Sequence, residues 1–167
     1  MKTILLMRHA KAEPGVPGQK DFDRPLAERG DEDAVRMGRA LARMEEVPDV
    51  IVSSPAARAK QTAEAAARAM KFGGAMLLER ALYDAPGEAW LAALEALPAS
   101  ADSALVVAHS PGIDEAAALL AGAEPGAFDV PTGAVIAFTA AIEHWRDLKP
   151  GVASLRWFLR PKLVERL

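Results

Sequence analysis

The sequence predicts an α/β fold, a three-layer sandwich with a mostly parallel central sheet and helices on both faces. Three observations carry that prediction. Short apolar runs of strand length alternate four times with longer stretches whose apolar residues recur at helical spacing, the pattern of a parallel sheet built from strand–helix units. Two further strand-like runs close the chain. With 51% hydrophobic and 26% charged residues over 167 positions the composition is that of an ordinary globular chain, and no repeat, low-complexity tract or linker divides it. One domain over residues 1–167 is therefore expected, long enough to bury a core without staples.

The elements follow in order. Thr3 to Met7 is a β-prone run, and Pro14, Gly15, Pro17 and Gly18 mark a long loop lasting to about Pro25. Ala34, Met37, Leu41 and Met44 share one helical face, which predicts a helix from Ala27 to Glu45, stopped before Pro48. Val50-Ile51-Val52 reads as a buried strand. Ser54 as N-cap and Pro55 at the first helical position then predict a helix to about Met70. Ala75 to Leu78 is a weaker strand, and Leu91, Leu94 and Leu97 give a short helix from about Gly87, closed by Pro98. Ala104 to Ala108 is the clearest strand; His109-Ser110-Pro111-Gly112 follows it and opens a helix to about Ala121. Val135 to Phe138 and Leu155 to Leu159 are expected to flank the earlier strands.

Composition excludes several functions. The balance of 20 basic against 23 acidic residues, a net charge of −3, argues against nucleic acid as the main partner. With no cysteine, disulfides, thiol catalysis and Cys-ligated metals are ruled out, and a reducing, cytoplasmic setting is expected. The apolar run at the N-terminus is too short for a signal peptide, and no stretch approaches the ~20 apolar residues of a membrane span.

Chemistry concentrates where strands end. Arg8 and His9 follow the first strand, Arg58 lies one helical turn after the second, and His109 follows the Ala104 to Ala108 strand. In open α/β sheets ligands bind outside the carboxyl ends of the strands, so two Arg and two His would converge on one pocket. Arg forks match a phosphate or carboxylate, and the helix starts near Pro55 and Pro111 would add backbone N–H groups and partial positive charge. Cations so placed keep a histidine neutral, hence nucleophilic. The chemistry that suits such a pocket is phosphoryl transfer through a phosphohistidine.

Three blocks carry a resemblance. Leu6-Met7-Arg8-His9-Ala10 resembles the Arg-His signature of the histidine phosphatase, or phosphoglycerate mutase-like, superfamily, with Ala10 where the best-known form has Gly. Ser53-Ser54-Pro55-Ala56-Ala57-Arg58-Ala59-Lys60-Gln61-Thr62-Ala63 resembles its second block and Val107-Ala108-His109-Ser110 its third. Asp23-Arg24-Pro25-Leu26, Glu28-Arg29-Gly30, Leu155-Arg156-Trp157-Phe158-Leu159 and the compact length are similar to the small phosphohistidine phosphatase (SixA-like) branch. The resemblance implies His9 as nucleophile, Arg8 and Arg58 as phosphate ligands, and His109 as the second histidine on the transferring group. Arg24 is either a further substrate contact or a salt bridge that orders the long loop. Asp23 matches the branch pattern without an assignable role, and Lys11 either steers anions or is simply solvated.

No residue matches the superfamily's proton donor well; Glu79, Asp84 and Glu88 are candidates by position only. An alkoxide leaving group needs an acid, whereas the imidazole released from phosphohistidine, with a pKa near ~6.5, takes its proton from solvent. The expected substrate is therefore phosphohistidine on a protein, such as a histidine-containing phosphotransfer domain, contacted by the exposed loop Glu13 to Asp23. A phosphatase for sugar or nucleotide phosphates, a mutase and a non-catalytic phospho-ligand binder are the competing readings. A metal hydrolase finds little support: there are three histidines, His144 lies apart beside Trp145, and no metal-ligand spacing appears, so neither metal nor cofactor is expected.

Overall fold

The computed structural model describes residues 1–167. Its elements are β1 (Lys2–Arg8), α1 (Glu28–Arg43), β2 (Val50–Ser53), α2 (Ala57–Ala69), β3 (Ala75–Leu78), α3 (Gly87–Glu95), β4 (Ser103–Ala108), α4 (Gly112–Ala121), β5 (Val135–Ala140), β6 (Ala153–Leu159) and α5 (Pro161–Val164). Six strands form one sheet in the order β3-β2-β4-β1-β5-β6. The first four run parallel, while β5 pairs antiparallel with β1 and β6 antiparallel with β5. The two late strands flank the earlier ones, as expected, and do so together at one edge. A hairpin-like pair can add to only one edge, whereas each parallel strand needs a helical crossover.

Side chains alternate across this sheet, and each face has its own core. Ile4, Leu6, Val52, Val106, Ile136 and Phe138 pack on one face with Trp90, Leu94, Ile113 and Leu120 of α3 and α4. Leu5, Met7, Ile51, Leu105, Val107 and Val135 pack on the other with Met37, Leu41, Ala63 and Ala66 of α1 and α2. Continuous apolar runs such as Ala104-Leu105-Val106-Val107-Ala108 are what a strand covered on both faces requires. The close approach of α1 depends on small residues. A Cβ on Gly38 would lie 2.4 Å from the Ala66 carbonyl oxygen, and one on Gly30 2.0 Å from that of Lys11.

One boundary differs from expectation. Ser54 is not an N-cap: α2 opens at Ala57, and its N-cap residue Ala56 makes no side-chain cap. The Ser54 hydroxyl is taken up by His109 instead, and Pro55 and Ala56 form a bend before the helix.

Candidate active site

The ends of β1, β2 and β4 lie side by side because β4 separates the other two. The His9 N–H donates to the Ala108 carbonyl at 2.9 Å, and the Ser54 N–H donates to that of Val107 at 2.9 Å. Both chains thus leave their strands beside the end of β4, where His109 follows. The His9 and His109 rings are 5.2 Å apart between centroids, and both are buried, as is Arg58 from the first turn of α2. Arg8, His9, Arg58 and His109, from three distant segments, meet in one pocket.

Local bonds fix each side chain. His9 Nδ1 lies 2.7 Å from the Ala10 carbonyl oxygen, which can only accept, so Nδ1 carries the proton and Nε2 the lone pair. The backbone that makes this bond is itself tied. Thr62 Oγ1 accepts from the Ala10 N–H at 3.0 Å and donates to the Arg58 carbonyl at 2.7 Å. One residue earlier, Gln61 Oε1 accepts from the Leu26 N–H at 2.7 Å. At three and four residues beyond Arg58, Gln61 and Thr62 share its side of α2, so one helical turn holds the guanidinium, the His9 turn and the start of the long loop in register. Ala10 stands where the superfamily's familiar form has Gly, and it fits: it is buried against Ala34 and Ala65, without a left-handed backbone.

Arg8 donates from Nη1 to the Val130 carbonyl at 3.0 Å. Arg58 grips a single residue twice, donating from Nη1 to the Asp21 carbonyl at 2.8 Å and from Nη2 to Asp21 Oδ2 at 3.0 Å. The same Oδ2 accepts from the Tyr83 hydroxyl at 2.8 Å, and Arg24 Nε donates to Oδ1 at 3.0 Å. Tyr83 is in turn edge-on to His109, with centroids 5.5 Å apart, and to Phe22 at 5.0 Å. On the far side His109 Nε2 meets Ser54 Oγ at 2.8 Å. Arg8 Nε, Arg58 Nε and His109 Nδ1 are buried with no hydrogen-bond partner in the protein. Buried polar atoms without partners are rare, and two guanidinium donors beside a histidine nitrogen suit a ligand rich in acceptor oxygens.

Both histidines are held neutral. His9 is lowered from 6.5 to about 4, chiefly by burial, with the Arg58, Arg8 and Arg24 charges adding to it against the Ala10 bond. His109 falls to about 3, again chiefly by burial, then by His9 and Arg58. Cations contribute as the sequence suggests, but desolvation is the larger cause. The Tyr83 hydroxyl bond, with Arg58 and Arg24, holds the Asp21 carboxyl below the usual range, while burial and Asp21 push the Tyr83 phenol up. The pocket therefore contains two neutral imidazoles, two guanidiniums and one ionised carboxylate. Such an excess of positive charge fits a dianionic oxyanion.

The remaining candidates fall outside this cluster or at its rim. Arg24 bonds Asp21 and, from Nη1 at 3.1 Å, the Glu13 carbonyl, which is the loop-ordering arrangement; its charge still reaches His9. Asp23 and Lys11 are exposed. Glu79 accepts from the Ala81 N–H and caps a turn, Glu88 lies in the first turn of α3, and Asp84 is exposed beside Tyr83. His144 is on the surface next to buried Trp145. No three His, Cys, Asp or Glu side chains are grouped to hold a metal ion, and no helix is long and apolar enough to cross a membrane. Sequence reasoning missed Asp21, Ser54 as a partner of His109, Thr62 and Tyr83. Asp21 and Tyr83 are separated by 62 residues and bear no periodic signal; only the Gln61-Thr62 pair, at helical spacing from Arg58, was open to a local argument.

Residues 4–90 match the family model described as histidine phosphatase superfamily (branch 1). An uncharacterized protein of Mycobacterium tuberculosis is 33% identical over 165 residues, 93% of this chain and 100% of that protein. A solved structure assigned as the phosphohistidine phosphatase SixA of Agrobacterium tumefaciens superposes with a TM-score of 0.82 at 29% identity, over 96% of this chain and 98% of its own. The protein histidine phosphatase SixA in complex with tungstate shares the fold, with a TM-score of 0.82 at 24% identity over 97% of this chain and 99% of its own. The architecture is the phosphoglycerate mutase-like α/β fold.

Proposed function

The chain belongs to the histidine phosphatase superfamily, and from that premise we propose that it removes phosphate from phosphohistidine on a protein, through a phosphohistidine of its own and without a metal. The observation that carries this reading is the state of His9: neutral, with Nδ1 committed to Ala10 and Nε2 left as the nucleophile, beside Arg8, Arg58 and His109.

In the first step His9 Nε2 forms a bond to phosphorus as the N–P bond of the substrate breaks, and the departing imidazole takes a proton from water. Charge on the equatorial oxygens is met by Arg8 and Arg58, whose buried Nε atoms have no partner in the protein and are free to donate to the ligand. In this reading the Ser54 hydroxyl, 2.8 Å from His109 Nε2, donates to that nitrogen, and the ring proton then sits on the buried Nδ1 and donates to a phosphoryl oxygen. In the second step water attacks the phosphorylated His9, releasing inorganic phosphate and restoring the neutral ring. Arg58 exchanges Asp21 for substrate oxygens as it binds.

The acid balance favours an N–P bond. Asp21 is the carboxyl group within the cluster, and its lowered pKa keeps it ionised, so it is a poor donor to an alkoxide. Glu79 caps a turn, Asp84 is exposed and Glu88 lies in the first turn of α3, and none of them hydrogen-bonds to either ring. Likeness to the SixA structures points the same way.

The test is phosphate release by wild type and His9→Ala, in EDTA, from a phosphohistidine protein and from a panel of sugar phosphates and phosphoglycerates. Release from phosphohistidine that survives EDTA and is lost in His9→Ala is expected. Faster turnover of a small phosphoester overturns the substrate, loss in EDTA overturns the metal-free mechanism, and release by neither protein leaves a phospho-ligand binder.

A further inference from the structure

Beside the catalytic pocket is an open cleft of about 480 Å³ lined by Lys11, Arg29, Asp33, Thr132, Arg160 and Lys162, with Pro131 preceding Thr132 and Pro161 preceding Lys162. Four cations face one carboxylate, in a chain whose net charge is −3. Arg29 is already engaged, by Asp33 at 3.3 Å and Glu165 at 3.0 Å. Lys11, Arg160 and Lys162 are exposed, and no ion pair of the fold uses them.

The cleft is tied to the pocket through the backbone. Lys11 lies two residues beyond His9, and its carbonyl accepts from the Ala27 N–H at 2.9 Å. Gly133, next to Thr132, donates its N–H to the Arg8 and His9 carbonyls at 3.1 Å each. That glycine has φ +75°, and a Cβ there would stand 3.0 Å from Pro161 Cγ, so the wall bearing Arg160 and Lys162 is pressed against the strand end that presents His9.

We propose that this cleft is a second anion site, which takes acidic side chains of the protein that presents the phosphohistidine; the proposal rests on the protein-substrate reading above. Solvated cations hold one small anion weakly, but three of them engage several carboxylates of a folded surface at once and steer its approach. No aromatic or aliphatic wall is present to bind a metabolite, and the two prolines give the cleft a stiff backbone without hydrogen-bond donors of their own.

Charge reversal tests it. Arg160 contributes only backbone to the α5 turn, so Arg160→Glu/Lys162→Glu should fold normally, which circular dichroism checks. With phosphohistidine proteins of acidic surface, kcat/KM should drop by about tenfold or more through KM, and its decline with added salt should flatten. Hydrolysis of phosphoramidate, which is too small to reach the cleft, should stay within about twofold of wild type, and Arg160→Gln/Lys162→Gln should fall between. Equal loss on both substrates, or no loss on the protein, overturns the site. Wild type that hydrolyses phosphoramidate but no phosphohistidine protein overturns the protein-substrate reading itself.

Discussion

Acidification probes the central claim about His9. A free imidazole with a pKa of 6.5 is only about 3% neutral at pH 5, whereas one lowered to about 4 is about 90% neutral. The nucleophilic fraction at pH 5 thus differs about thirtyfold between the two cases. From 6.5 to about 4 corresponds to about 3 kcal/mol of preference for the neutral ring, supplied mainly by burial. The same preference links to stability, with a definite sign. Because the folded pKa lies below the unfolded one, the stabilisation is present above about pH 6.5 and is lost as pH falls from there toward about 4. His109, at about 3, adds a loss of the same sign that continues lower.

The assay is NMR titration of histidine-labelled protein in phosphate-free buffer. With three histidines in the chain, His109→Gln and His144→Gln assign the resonances. His9 should remain neutral to below pH 5, kcat/KM corrected for spontaneous hydrolysis should keep its acid limb below pH 5, and urea stability should decline from pH 6.5 downward. A His9 midpoint between pH 6 and 7, with an activity limb at the same pH, would refute the burial argument.

Two substitutions examine the residues that sequence reasoning missed. Thr62→Val leaves the Ala10 N–H buried without its acceptor, so urea unfolding should show a loss of about 1–3 kcal/mol, and kcat should fall as the His9 turn loosens; Thr62→Ser should restore most of both. Asp21→Asn removes the carboxylate that competes for Arg58, and inhibition by tungstate or vanadate should tighten by up to about fivefold, the worth of an ion pair whose carboxylate is exposed to solvent. Weaker oxyanion inhibition in that variant would instead make Asp21 a support of the bound ligand.

Much of the fold was legible because the parallel strands β1, β2 and β4 are covered on both faces. Their apolar runs stand out from the flanking helices, and β3 at Ala75–Leu78 falls where the sequence put it. Helix α1, expected over Ala27 to Glu45, spans Glu28–Arg43, since its amphipathic face is long and unbroken. The edge shared by β5 and β6 was not legible: an apolar run states that a strand is buried, not which edge it joins. Ser54 misled for a local reason. A serine before a proline is a strong helix-start signal, but a histidine 55 residues away competes for the same hydroxyl.

By itself the sequence determined the α/β class, the family blocks and the four side chains that gather at the strand ends, because alternation and strand–loop position are properties of neighbours along the chain. The tertiary structure decided the rest. It supplied the tautomer of His9, the Asp21–Arg58–Tyr83 contacts and the basic cleft beside them. Each depends on burial or on a hydrogen bond between residues far apart in the chain, and both arise only when the sheet brings distant strand ends together.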